Sequence, residues 1–326
     1  MKEPSLPMST IEKAAARLAE RQKSNAPSAP PAIERARQAN GSKRGAVISD
    51  RAGPGTLTPV RFCEIDLDDV RERGFLVPDS ARTQLAQEMR RIKRPLLLNI
   101  QKTQATVETE RPNDALPVPP ANLIMITSAL PGEGKTFTAI NLAMSMAAEV
   151  DRRVLLVDAD VARGDVSCQL GIPASRGLSD LLRESNHLLE DAVLTSNVER
   201  LSVLPAGSHT EHIDELFASD MMDTVVRSLA EADPNRVVIF DASPLLATTE
   251  AAVLARHMGQ TVVVVEAGKT PQDAVAQAIA HLDGCHNVSL VLNKTTGKDT
   301  SGYGYGYGYS YGAEGAERAP RQGRNG

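Results

Sequence analysis

Between residues 121 and 294, short apolar runs alternate with longer amphipathic stretches, and this alternation limits what the chain can fold into more than any other feature. Leu123–Thr127, Val154–Asp158, Leu201–Leu204, Val237–Asp241, Thr261–Glu266 and Ser289–Asn293 read as strands. Thr136–Ala148, Ile213–Ala230, Thr249–His257 and Gln272–Leu282 carry apolar residues at helical spacing between them. A strand–helix alternation of this kind predicts an α/β fold: a doubly wound, mainly parallel sheet with helices on both faces. Aromatic residues make up only 3% of the chain, with no Trp, so the core must be aliphatic, as suits strands buried on both faces. Ligands of such sheets bind at the carboxyl ends of the strands.

One strand ending carries the strongest chemical signal. Thr127-Ser-Ala-Leu-Pro-Gly-Glu-Gly-Lys-Thr136 runs from a buried strand through a glycine turn into a helix. Backbone N–H groups and a helix N-terminus then converge where phosphates would lie. This is the P-loop NTPase pattern, G-x-x-x-x-G-K-[ST], with Ala129 in place of its first glycine. Pro131, Gly132, Glu133, Gly134, Lys135, Thr136 and Phe137 are the expected nucleotide-binding residues, with ATP as the ligand. Lys135, expected on an exposed loop, would reach the β- and γ-phosphates, and the Thr136 hydroxyl would ligate Mg²⁺.

Two acidic strand ends support that reading. Asp158 and Asp160 close one apolar run, and Asp241 closes another. In a doubly wound sheet these ends share an edge with the phosphate loop, where a metal-bound triphosphate needs hard oxygen ligands. Thr136, Asp158, Asp160 and Asp241 are therefore the candidate metal ligands. Guanine specificity is not expected, because Asn293-Lys-Thr-Thr296 lacks the final acid of N-K-x-D. Leu130 stands where partition and septum-positioning ATPases carry a signature lysine, and no H-R-D or D-F-G triplet is present.

The rest of the chain divides unevenly. Residues 1–60 hold ten Lys/Arg against five Asp/Glu and read as a disordered basic linker, with a possible short helix after Ser9-Thr10. Residues 61–120 balance ten against ten and read as a helical extension and joint. A helix is expected after Asp79-Ser80, with Leu85, Met89 and Ile92 on one face, until Pro95 interrupts it. The Pro-rich joint Leu116–Pro120 then leads into an ATP-binding domain at 121–294. Residues 121–326 carry 16 basic against 26 acidic side chains, which argues against a nucleic-acid partner. Cys63, Cys168 and Cys285 are scattered and expected to be buried thiols, and the six histidines show no ligand spacing. No apolar run approaches the ~20 residues of a membrane span, so a cytoplasmic protein is expected, attached to membrane only peripherally. All five tyrosines, Tyr303, Tyr305, Tyr307, Tyr309 and Tyr311, alternate with small residues in the Gly-rich tail at 295–326. Phenols placed there are presented to something rather than packed.

These motifs together resemble the bacterial tyrosine kinases of exopolysaccharide synthesis, the BY-kinase family, in particular the soluble autokinases of exosortase-type loci. The similarity rests on Pro131–Thr136, Asp158-Ala-Asp160, Phe240-Asp-Ala-Ser-Pro244 and the terminal tyrosine cluster. Ala162 stands at the arginine position of the second motif, and Ser243 replaces the first of two prolines in the third. The resemblance implies autophosphorylation of the tail, with Lys135, Asp158 and Asp160 catalytic and Asp158 the base. It also implies a homo-oligomeric ring packed through Glu88, Arg91 and Arg94, a separate transmembrane co-polymerase as activator, and a tyrosine phosphatase. A second reading keeps the same residues but makes the chain an ATP-binding assembly switch whose Gly-Tyr tail binds a partner.

Overall fold

The computed structural model describes residues 61–80, 82–107, 119–184 and 189–295. The basic linker, most of the Pro-rich joint and the tyrosine cluster lie outside these residues. Eight strands make one sheet: β1 (Arg61–Cys63), β2 (Leu123–Ser128), β3 (Arg153–Asp158), β4 (Leu194–Ser196), β5 (Leu201–Leu204), β6 (Arg236–Asp241), β7 (Gln260–Glu266) and β8 (Val288–Asn293). Their order across the sheet is β1-β4-β5-β3-β6-β2-β7-β8. Every pairing is parallel except β4 with β5. This is the expected doubly wound sheet.

Strand residues alternate between two cores. Leu123, Met125, Leu155, Val157, Val238 and Phe240 face one, and Ile124, Ile126, Val154, Leu156, Val237 and Ile239 face the other. The first core is covered by α7 (Ile213–Phe217), α8 (Asp220–Glu231), α9 (Glu250–Ala255) and α10 (Gln272–Ala280), through Phe217, Met222, Leu254 and Val275. The second is covered by α2 (Gln84–Val107) and the helix after the phosphate loop, α3 (Lys135–Ala147). Shorter helices are α1 (Leu67–Glu72), α4 (Asp165–Gln169), α5 (Leu178–Arg183) and α6 (Leu189–Ala192).

Four expectations need correcting. Helix α2 starts at Gln84 rather than after Ser80, and it runs through Pro95 to Val107. Pro95 is exposed, so the carbonyl it leaves without a donor can be met by water, while Ala86, Met89, Leu96 and Ile100 bury one continuous stripe. Packing of that stripe outweighs the proline. The single helix expected over Ile213–Ala230 is two, because the Ser219 hydroxyl donates to Leu216 O and accepts from Met222 N–H, ending α7 and capping α8. Strands β1 and β4, of three residues each, are too short to show a periodic pattern in the sequence. The Asn197 side chain, just past β4, holds Ile65 by both its N–H and its carbonyl, each at 2.9 Å, and so fastens the N-terminal segment to the sheet. Of the cysteines expected to be buried, Cys63 is, Cys285 is half-buried, and Cys168 is exposed, since Val166 in α4 and Leu170 just after it take the inward positions.

The N-terminal segment grips α3 at three points. Phe75 stacks on Phe137 with ring centroids 5.1 Å apart. Leu76 N–H donates to Asn141 Oδ1 at 2.7 Å. Lys93, buried in α2, donates to Ser145 O at 2.7 Å near the far end of α3 and pairs with Glu149.

Candidate active site

The parallel register sets the carboxyl ends of β2, β3 and β6 side by side, with Asp158 opposite Asp241 and Ile126 opposite Asp241. From Ser128 the chain turns through the phosphate loop into α3. Gly134, just before α3, has φ +98°, so the turn demands glycine, and a Cβ there would lie 2.2 Å from Asn293 Nδ2 and displace that amide from Glu133 O.

Lys135 is the centre of the site. Its ammonium lies 2.7 Å from Asp160 Oδ2 and 3.8 Å from Asp241 Oδ1, and it donates to Thr136 Oγ1 at 3.2 Å. Contrary to the expectation of an exposed loop residue, Lys135 is only 6% exposed, because the acids of β3 and β6 enclose it. Burial disfavours its ammonium, but the charges of Asp241 and Asp160 outweigh that and hold its pKa above the usual lysine value. Asp158 and Asp241 are fully buried. Burial, with the Asp241 charge nearby, pushes Asp158 up to about 8 against the pull of the Val166 N–H. Burial pushes Asp241 up to about 6, opposed by Lys135.

The carboxylate oxygens here are short of donors: Asp158 Oδ1 has no hydrogen-bond partner among the described residues, Asp160 Oδ2 has only the Lys135 ammonium, and Asp241 has that ammonium at 3.8 Å and the Thr136 hydroxyl. Buried acceptors without donors are costly, at about 1–3 kcal/mol each. Hard anionic oxygens gathered with the Thr136 hydroxyl suit a divalent cation such as Mg²⁺, so these residues fit the group that the loop implies. Among the described residues there is no cluster of three His, Cys, Asp or Glu with metal-holding geometry, so the fit relies on nucleotide phosphates to complete the coordination.

Two expected nucleotide-binding side chains are engaged elsewhere. The Glu133 carboxylate is buried, accepting from Leu130 N–H at 2.6 Å, from Glu266 N–H at 3.4 Å and from the Thr270 hydroxyl. The Phe137 ring packs on Phe75. What either can offer a phosphate is its backbone N–H. Residues not anticipated hold the loop from outside: Asn293 Nδ2 donates to Glu133 O at 2.9 Å, and Lys294 Nζ donates to Gly132 O at 2.7 Å while pairing with Glu266. In the sequence Asn293 ends a strand and opens, with Lys294, an incomplete N-K-x-D motif, and nothing local to them signals a contact with the loop. Glu88, Arg91 and Arg94 lie exposed on α2, away from these contacts.

The AAA domain family model matches residues 121–289, more than half of the chain. Tyrosine-protein kinase YwqD of Bacillus subtilis (strain 168) is 36% identical over 162 residues, which are 50% of this chain and 67% of YwqD. The chain belongs to the bacterial tyrosine-kinase, or BY-kinase, family. Tyrosine-protein kinase wzc of Salmonella typhimurium is 29% identical over 56% of this chain, but the match spans only 26% of wzc. The BceF tyrosine kinase domain shares the fold, with TM-score 0.53 and 25% identity over 72% of this chain and 92% of that domain.

Membership of the BY-kinase family implies that the loop binds a nucleotide. In this BY-kinase chain the Lys135 ammonium is held beside that loop between Asp160 and Asp241. Among the described residues, no helix is long and apolar enough to cross a membrane.

Proposed function

We propose that the chain is an ATP-dependent protein-tyrosine kinase that phosphorylates its own C-terminal cluster, Tyr303, Tyr305, Tyr307, Tyr309 and Tyr311. The observation that carries this reading is the buried group of Lys135, Asp158, Asp160 and Asp241 beside the phosphate loop. Lys135 and the loop N–H groups orient and neutralise the triphosphate. Thr136, Asp158, Asp160 and Asp241 would hold Mg²⁺, which when bound supplies further charge neutralisation on the phosphates. The tyrosine oxygen bonds to the γ-phosphorus as the bond to the bridging oxygen breaks and ADP leaves. Burial favours the protonated form of Asp158; bound Mg²⁺ would favour its anion, whose Oδ1, with no described partner, would then take the phenolic proton.

A Gly-rich coil of the length that separates Thr296 from Tyr307 in the sequence would span ~17–20 Å on average and ~36–40 Å at full stretch. That reach allows delivery to the chain's own site or a neighbour's. The reading extends to a homo-oligomeric ring packed through Glu88, Arg91 and Arg94, a separate membrane co-polymerase as activator, a phosphatase as antagonist, and control of polysaccharide polymerisation or export at the inner face of the cell membrane.

The test is mass spectrometry of the chain after incubation with Mg²⁺-ATP. Lys135→Met should lose all tail labelling. Because Lys135 is buried between acids, that variant should also melt at a lower temperature, so Asp158→Asn, which leaves the Lys135–Asp160 and Lys135–Asp241 pairs in place, is the companion variant and should also lose tail labelling. Tail labelling that persists in Lys135→Met would overturn the site. A wild-type chain that binds ATP and never labels, even with its activator, would instead support the assembly switch.

A further inference from the structure

The Ser243 hydroxyl sits between two carboxylates. It lies 3.1 Å from Asp160 Oδ1 and 3.1 Å from Glu250 Oε2. Both Ser243 and Asp160 are 2% exposed, so water does little to separate these groups. The segment that carries Ser243 is fastened to the phosphate-loop strand: Thr127 Oγ1 donates to Ser243 O at 2.7 Å, Leu245 N–H to Ser128 O at 2.8 Å, and Leu246 N–H to Ala129 O at 3.2 Å.

One hydroxyl carries one proton and donates to one carboxylate. Asp160 Oδ2 is 2.7 Å from the Lys135 ammonium, which marks Asp160 as the anion and the receiver of the hydroxyl proton. The second contact is then satisfied when Glu250 carries its own proton and donates to Ser243 Oγ. Burial pushes the Glu250 carboxyl in that direction, opposed by the Ser243 hydrogen bond. We propose that Glu250 and Ser243 are positioning residues, a donor chain that holds Asp160 with one oxygen toward Ser243 and the other toward Lys135, and so sets the affinity of the site for its divalent cation. This rests on the reading of Asp160 as a metal-holding residue.

The experiment is a Mg²⁺ titration of mant-ADP binding to the full chain, repeated without metal in EDTA. Ser243→Ala and Glu250→Ala should each raise the half-saturating Mg²⁺ concentration roughly tenfold, in the range seen when groups supporting metal ligands are removed. Binding in EDTA should not change. Ser243→Thr keeps the hydroxyl, and Glu250→Gln keeps a donor without a titrating proton, so both should titrate like the wild type. A wild-type Mg²⁺ dependence in Ser243→Ala, or equal damage from Glu250→Gln and Glu250→Ala, overturns the donor chain. Should Ser243→Ala fail to fold, the Glu250 pair decides, since that side chain is only half-buried. Tail labelling is scored separately: a wild-type chain that binds the Mg²⁺-nucleotide without labelling Tyr303–Tyr311 would sink the kinase reading and leave the donor chain to be judged on the titration.

Discussion

Asp158 shows how one residue couples chemistry to stability. Its carboxyl titrates at about 8 in the folded chain and near ~3.9 in an unfolded one. Between those values the folded state binds more protons than the unfolded state, so this contribution to stability is complete below the unfolded value and is lost as pH rises through the folded one. Asp241 acts in the same sense up to about 6. Asp158→Asn removes the larger part. Measured without metal, the melting temperature of the wild type should therefore fall relative to Asp158→Asn between about pH 4 and about pH 8, and added Mg²⁺-ATP should close the gap. Parallel curves for the two proteins would show that Asp158 is not held protonated. The motif alone marked Asp158 as acidic and at an edge; its protonation depends on total burial beside Asp241, which no local pattern encodes.

At the scale of elements, α2 is where local preference and packing disagree. A proline inside a helix is disfavoured by about 3 kcal/mol relative to Ala, yet Pro95 sits in the middle of a helix of 24 residues. Leu96 and Ile100 beyond it are 3% and 1% exposed, so the turns after the proline are held by burial. Pro95→Ala should raise stability to chemical denaturation by about 1–3 kcal/mol. A loss of stability would mean that a bend at Pro95 is needed to seat Leu96 and Ile100. The same helix carries Lys93 inward to the end of α3 and Glu88, Arg91 and Arg94 outward. An assembly formed on the outer face would thus bear on the helix that follows the phosphate loop.

For the molecule as a whole, assembly and tail transfer belong together. Replacing Glu88, Arg91 and Arg94 with Ala should lower the oligomer mass in light scattering and slow tail labelling, because a ring raises the effective concentration of acceptor at each donor site. Unchanged mass would make these residues a solvated face of α2 and nothing more. Transfer between copies can be read by mixing a chain ending at Thr300 with a Lys135→Met chain that keeps its tyrosines. The inactive chain should become labelled, at a rate rising with concentration; no label at any concentration restricts transfer to within one copy. Each phosphate adds about −1.5 to −2 charges to a chain already at −5. The unphosphorylated form should then be the larger species, and salt should shrink the difference by screening.

What the sequence by itself determined is what local chemistry enforces. Continuous apolar runs such as Val237–Phe240 can only be strands buried on both faces, the glycines of the phosphate loop can only serve a tight turn, and acids at strand ends must gather on one edge once the strands are parallel. The fold class and the meeting of Asp158 and Asp241 beside the phosphate loop follow from those requirements. What only the tertiary structure decided depends on partners far apart along the chain. Lys135 became buried because β3 and β6 bring their acids to it, Glu133 turned into a brace because β7 passes beside the loop, Pro95 was tolerated because α2 packs on α3 over the second core, and β1 exists because Asn197, more than a hundred residues away, holds Ile65. Each is a balance between a local cost and a distant contact, and the distant contact exists only once the chain has folded.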